Sequence, residues 1–143
     1  MSAATLENRE TTGLPVIDFV APMPGFPEDR HFLLCQIDEN SDVLYALKSM
    51  ESPGLRFLVV PSAPFFPDYA PEIDDDTMLA LDVTDPKNLL VLLVVSAPTE
   101  NTKDATANLM APIVLDQETR RAVQLILARS GLPVREHLMS TTE

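Results

Sequence analysis

Thirteen prolines against four glycines, with no tryptophan, divide these 143 residues into short pieces. Proline holds φ near about −65°, lacks a backbone N–H and breaks a helix from within, so long helices are disfavoured and short strands joined by proline turns are expected. Segments rich in β-branched and aromatic residues, bounded by Pro, Gly, Asn, Asp or Ser, fall at Val16 to Val20, His31 to Ile37, Val43 to Met50 and Leu55 to Val60. The last of these is apolar on both faces apart from Arg56 at one end, which predicts cover on both sides. Leu89 to Ser96 and Ala105 to Leu115 read as two central strands, the second interrupted by Pro112, which within a sheet needs an edge or a bulge. One short helix is predicted after Asp74, Asp75 and Asp76, where acidic residues precede the helix formers Met78, Leu79, Ala80 and Leu81. Glu118 to Arg129 is ambiguous: helix formers recur at helical spacing, yet Val123, Leu125 and Leu127 alternate as in a strand.

The chain's length favours one domain, placed at 14–139, with a poorly ordered N-terminal tail at 1–13 and a short C-terminal tail at 140–143. Ten basic residues against 22 acidic ones give a net charge of −12, yet 45% hydrophobic content supplies a core. That sign excludes direct binding to nucleic acid, whose phosphates require a clustered positive surface, and disfavours an anionic membrane. Met1 to Thr12 has no export signal, and the longest apolar run, Leu89 to Val95, is too short to span a bilayer. Cys35, alone among apolar neighbours, reads as an inert core thiol in a reducing cytoplasm.

No pattern for catalysis, cofactor or metal emerges. His31 and His137 have no metal-ligand spacing, no serine sits in a nucleophile elbow, and the four glycines form no phosphate cradle. Glu72, Asp74, Asp75 and Asp76 are the densest carboxylate cluster but do not follow a calcium-loop pattern. They read as a solvated helix cap, the alternative being a small metal-dependent hydrolase. Glu100, Asp104, Asp116 and Glu118 read as a soluble rim at strand ends. What is left is an acidic surface with Pro- and aromatic-rich loops, suited to holding a basic or amphipathic protein partner.

Three strings carry a resemblance. Pro24-Gly25-Phe26-Pro27, then Phe65-Phe66-Pro67-Asp68-Tyr69 with Ile73-Asp74-Asp75, then Thr106-Ala107-Asn108-Leu109-Met110-Ala111-Pro112-Ile113-Val114 followed by Arg120 and Gln124, resemble in order and spacing the flagellar assembly factor FliW family. The likeness runs from about Ile17 to Leu138. It implies a mostly β, small, single-domain antiparallel β-barrel-like fold with one short helix, and no active site. It also implies a cytoplasmic protein that binds flagellin and, once flagellin is secreted, captures the RNA-binding translational repressor CsrA. A flagellin chaperone without the CsrA arm is the alternative within the same resemblance. The resemblance makes Arg120 to Leu127 a strand. The chain departs from the family at Lys48, where relatives usually carry glutamine, and at Asp116, where they usually carry asparagine.

Partner contact is assigned to Phe26, Asp68, Tyr69, Asp74, Asp75 and Asp76. Phe65 and Phe66 read as plugs of the barrel, whereas Tyr69 suits either role. Pro24, Gly25, Phe26, Pro27, Asn108, Leu109, Ala111, Pro112 and Gln124 read as structural, Gly25 supplying a positive-φ turn and the Asn108 amide satisfying the bent backbone at Pro112.

Overall fold

In the computed structural model, residues 15–37, 44–96, 105–127, 131–132 and 136–137 are described. The tails assigned at 1–13 and 140–143, and Glu100 and Asp104, lie outside them. Among the described residues the chain forms β1 (Val16–Phe19), β2 (His31–Gln36), β3 (Tyr45–Ser49), β4 (Arg56–Pro61), α1 (Asp75–Ala80), β5 (Leu89–Ser96), β6 (Thr106–Ala107), β7 (Ile113–Asp116), β8 (Arg121–Gln124) and β9 (Glu136–His137), with a 3-10 turn at Pro86–Asn88. Seven strands close a ring in the order β1, β2, β3, β4, β5, β7, β8, because β4 also pairs with β5. Closure leaves those strands without a free edge. One pairing departs from the antiparallel expectation: β1 runs parallel to β8, with Asp18 opposite Arg121.

The expected strand from Ala105 to Leu115 is two strands. Val95 faces Ala107 and Leu92 faces Ile113, so three steps along β5 are matched by six along the facing chain. The surplus residues loop out at 108–112, and Pro112, which cannot donate to a ladder, sits at the end of that excursion. Glu118 to Arg129 contains β8: tertiary pairing of Ala122 with Leu115 and Val123 with Val114 overrides helix propensity.

Two apolar layers follow from strand alternation. Ile17, Phe19, Phe32, Leu47, Val59, Leu92, Ile113, Leu115 and Ala122 fill the barrel. Val60, Leu93, Val95, Ala105, Ala107 and Leu109 form a second layer, packed by Phe65, Phe66 and Tyr69. Because Val59 and Leu92 belong to the first layer and Val60 and Leu93 to the second, β4 and β5 are covered on both faces, which is why these strands read as unbroken apolar runs. Arg56 stands exposed at the strand end, as expected. Cys35 is only half-buried, less enclosed than a core thiol.

Candidate functional site

The first turn carries Pro24, Gly25, Phe26 and Pro27. Gly25 has φ +91°, a left-handed conformation that glycine adopts without strain. Phe26 N–H donates to Met23 O at 2.9 Å, and its half-buried ring meets Phe57 edge-on at 5.0 Å between centroids. Phe26 therefore packs on the barrel core and shows a partner only part of its surface. Beneath the turn, Ser49 Oγ donates to the buried Asp29 Oδ1 at 2.6 Å and accepts from the Glu51 and Ser52 amides. Glu51 accepts from the Arg30 and His31 amides and meets His31 Nδ1 at 2.6 Å. The bond to His31 holds the Glu51 carboxyl below its ordinary pKa. This junction locks two turns together and had no local signature, since its members are far apart in the chain.

The proline loop after β4 is anchored by its aromatics. The Phe65 and Phe66 amides donate to Ser62 O, and the Tyr69 amide to Phe66 O at 3.0 Å, folding the loop into successive turns. Tyr69 Oη donates to Leu109 O at 2.5 Å, tying this loop to the excursion at 108–112. Burial pushes the Tyr69 phenol up to about 12. Tyr69 thus spends its polar tip on the fold, while its neighbour Asp68 stays exposed.

The same excursion gathers the most specific string. Asn108 Oδ1 accepts from Met110 N–H at 3.0 Å, so its amide closes the turn two residues on, where the sequence reading has it satisfy the backbone at Pro112. The bonds near Pro112 come from β8 and beyond: Gln124 Nε2 donates to Ala111 O at 3.1 Å, Leu125 N–H to Pro112 O and Leu127 N–H to Met110 O. Leu109, Ala111 and Pro112 are buried. Tyr69, Asn108, Leu109, Ala111, Pro112 and Gln124 thus form one structural joint.

The acidic cluster lies on a short helix. Asp74 is the N-cap: its Oδ1 accepts from Thr77 N–H at 2.9 Å, and hydrogen bonding to Thr77 holds its carboxyl below the ordinary value. Asp75 and Asp76 occupy the first turn, where negative charge suits the helix dipole, and all three are exposed. Among the described residues no three His, Cys, Asp or Glu side chains converge as metal ligands. The segment is tied to the β7–β8 turn by polar bonds: Thr119 Oγ1 to Leu81 O at 2.9 Å, and Thr84 Oγ1 and Asn88 Nδ2 to Glu118 Oε1.

Asp116 is no soluble rim. It is fully buried at the end of β7, with Oδ1 accepting from Glu118 N–H at 2.9 Å and Oδ2 without a hydrogen bond. It therefore offers no surface to a partner. Its position in the turn, between Leu115 and Gln117, carried no local sign of burial. Leu79, one of the helix formers of α1, is by contrast 78% exposed.

The FliW protein family model matches residues 2–138 of the chain. A flagellar assembly factor FliW of Caldanaerobacter subterraneus subsp. tengcongensis is 38% identical over 112 residues, covering 78% of this chain and 74% of that protein. The one of Symbiobacterium thermophilum is 33% identical over 123 residues, covering 86% and 88%. A crystal structure of the flagellar assembly factor FliW superposes with a TM-score of 0.82 at 27% identity, covering 96% of this chain and 93% of the other.

Proposed function

This chain belongs to the FliW family of flagellar assembly factors, which is not an enzyme family, and from there we propose that it works in the cytoplasm by holding two protein partners in turn. Flagellin occupies it first. Once secretion withdraws flagellin, the free protein captures CsrA, lifting CsrA's repression of flagellin translation.

The observation that supports this reading is the match across 2–138 in a chain whose net charge is −12. A protein that binds RNA presents a basic face, so an acidic partner approaches it quickly and repels RNA from its neighbourhood. Asp68, Asp74, Asp75 and Asp76 are exposed and form the contact we assign to that approach. Phe26 and Tyr69, largely committed to packing, add only their exposed rims. Purified protein is expected to retain both flagellin and CsrA from a flagellated-cell lysate, with added flagellin releasing CsrA. Retention of neither overturns the reading. Retention of flagellin alone leaves a flagellin chaperone.

A further inference from the structure

The end of α1 carries an unusual combination. Val83 N–H donates to Met78 O at 3.1 Å and Asp82 N–H to Leu79 O at 3.0 Å, the bond pair that ends a helix through a single left-handed residue. That residue is Asp82, with φ +58°, where glycine is the unstrained choice. Its carboxylate follows the helix end that bears partial negative charge; the last turn holds no basic residue of its own, and Arg121 Nη1 donates to Ala80 O there at 3.4 Å. The turn brings Met78 and Val83 together, and with Leu79, Asp75 and Asp82 they line a groove of about 260 Å³.

The groove is thus apolar at Met78, Leu79 and Val83 and acidic at Asp75 and Asp82, with Leu79 78% exposed. One kind of occupant matches both features: a segment with apolar side chains for Met78, Leu79 and Val83 and cations beside Asp75 and Asp82. A second copy of the chain brings another −12 of charge to the contact and does not fit. We propose that the Met78–Leu79–Val83 groove is a docking site for a basic amphipathic helix of a protein partner. This rests on the reading that the chain acts by holding protein partners, and it places the contact's apolar anchor at Leu79, with the acids steering approach.

The test is an NMR titration of the full chain with a synthetic amphipathic leucine–lysine helix and its leucine–glutamate counterpart. The lysine helix is expected to shift the methyls of Met78, Leu79 and Val83, with binding that weakens as salt rises. Leu79→Ser, at an exposed position, should keep the fold and weaken binding about tenfold. Asp82→Gly should raise Tm by relieving the left-handed residue while also weakening binding, opposite signs that a purely structural role does not produce. Equal binding of the glutamate helix, shifts centred elsewhere, binding unchanged in both variants, or self-association through Leu79 in sedimentation would each overturn the proposal. In the lysate experiment, normal retention of both partners by Leu79→Ser and Asp82→Gly removes the groove and leaves the functional reading intact, whereas failure of the unmodified chain removes the reading itself.

Discussion

Two consecutive stretches lie outside the barrel, and they attach in opposite ways. The proline loop at 62–73 sends Phe65, Phe66 and Tyr69 into an apolar layer over β4, β5 and β6. The helical stretch at 74–88 buries one large side chain, Leu81, is otherwise tied by polar bonds to the β7–β8 turn, and leaves Leu79 in water. Apolar cover is non-directional and cooperative, whereas exposed polar ties compete with water. Tyr69, which suits either role in the sequence, thus joins Phe65 and Phe66 in the fold, whereas the capped helix keeps its acidic face exposed. Both the charge assigned to partner contact and the unpartnered groove fall on this second stretch.

The comparison is broken most directly at Phe66. Phe66→Ala is expected to cost about 2–3 kcal/mol, a little under the usual range because the ring is half-buried, whereas Leu79→Ala should stay within about 0.5 kcal/mol. Urea denaturation of both variants checks this, and equal costs would erase the distinction between the two covers. Tyr69→Phe removes the bond to Leu109 O and should cost about 1–2 kcal/mol at neutral pH. The folded phenol titrates near 12 against 10.0 ordinarily, so its contribution is complete below pH 10 and is lost as pH rises toward 12. The gap between Tyr69→Phe and the unmodified chain should close over that window, measured by denaturation at stepped pH.

At the end of β7, Asp116→Asn keeps the acceptor for Glu118 N–H and replaces the buried carboxyl oxygen that has no partner. It should stabilise by about 1 kcal/mol and slow amide exchange at 75–88, both readable by thermal melting and hydrogen exchange. A more modest cost is expected for Asp74→Ala, which frees the Thr77 amide at the helix start. The Asp74 carboxyl titrates below its ordinary 3.8, so its contribution is present above that pH and is lost as pH falls through the folded value. The destabilisation of Asp74→Ala should therefore be visible at neutral pH and fade in acid.

The sequence made the strands legible where burial left a periodic mark. β5 matches its expected bounds, Leu89 to Ser96, because a strand covered on both faces is a continuous apolar run. The helix start was legible because capping is chemistry local to Asp74 and Thr77. Pairing was less so: the break at 108–112 and the parallel contact of β1 with β8 depend on partners far away in the chain. Burial and long-range side-chain bonds were hidden for the same reason. Nothing near Asp116 reveals that it is buried, and nothing near Tyr69 reveals that its hydroxyl meets Leu109. Asn108 misled because its reach was set by a turn to Met110, a geometry the proline two residues further on does not report.

The parallel seam between β1 and β8 also has a consequence in time. Asp18 meets Arg121 and Phe19 meets Ala122, so the first strand of the ring waits for nearly the last. During synthesis the hairpins β1 to β4 can pair as they emerge, but the ring stays open until residue 122 has left the ribosome. Until then β1 presents a bare edge, and a polypeptide cut short before Arg121 keeps it. Arrival of β8 is in effect the quality check: only a chain that includes it hides the edge that would otherwise recruit other nascent strands.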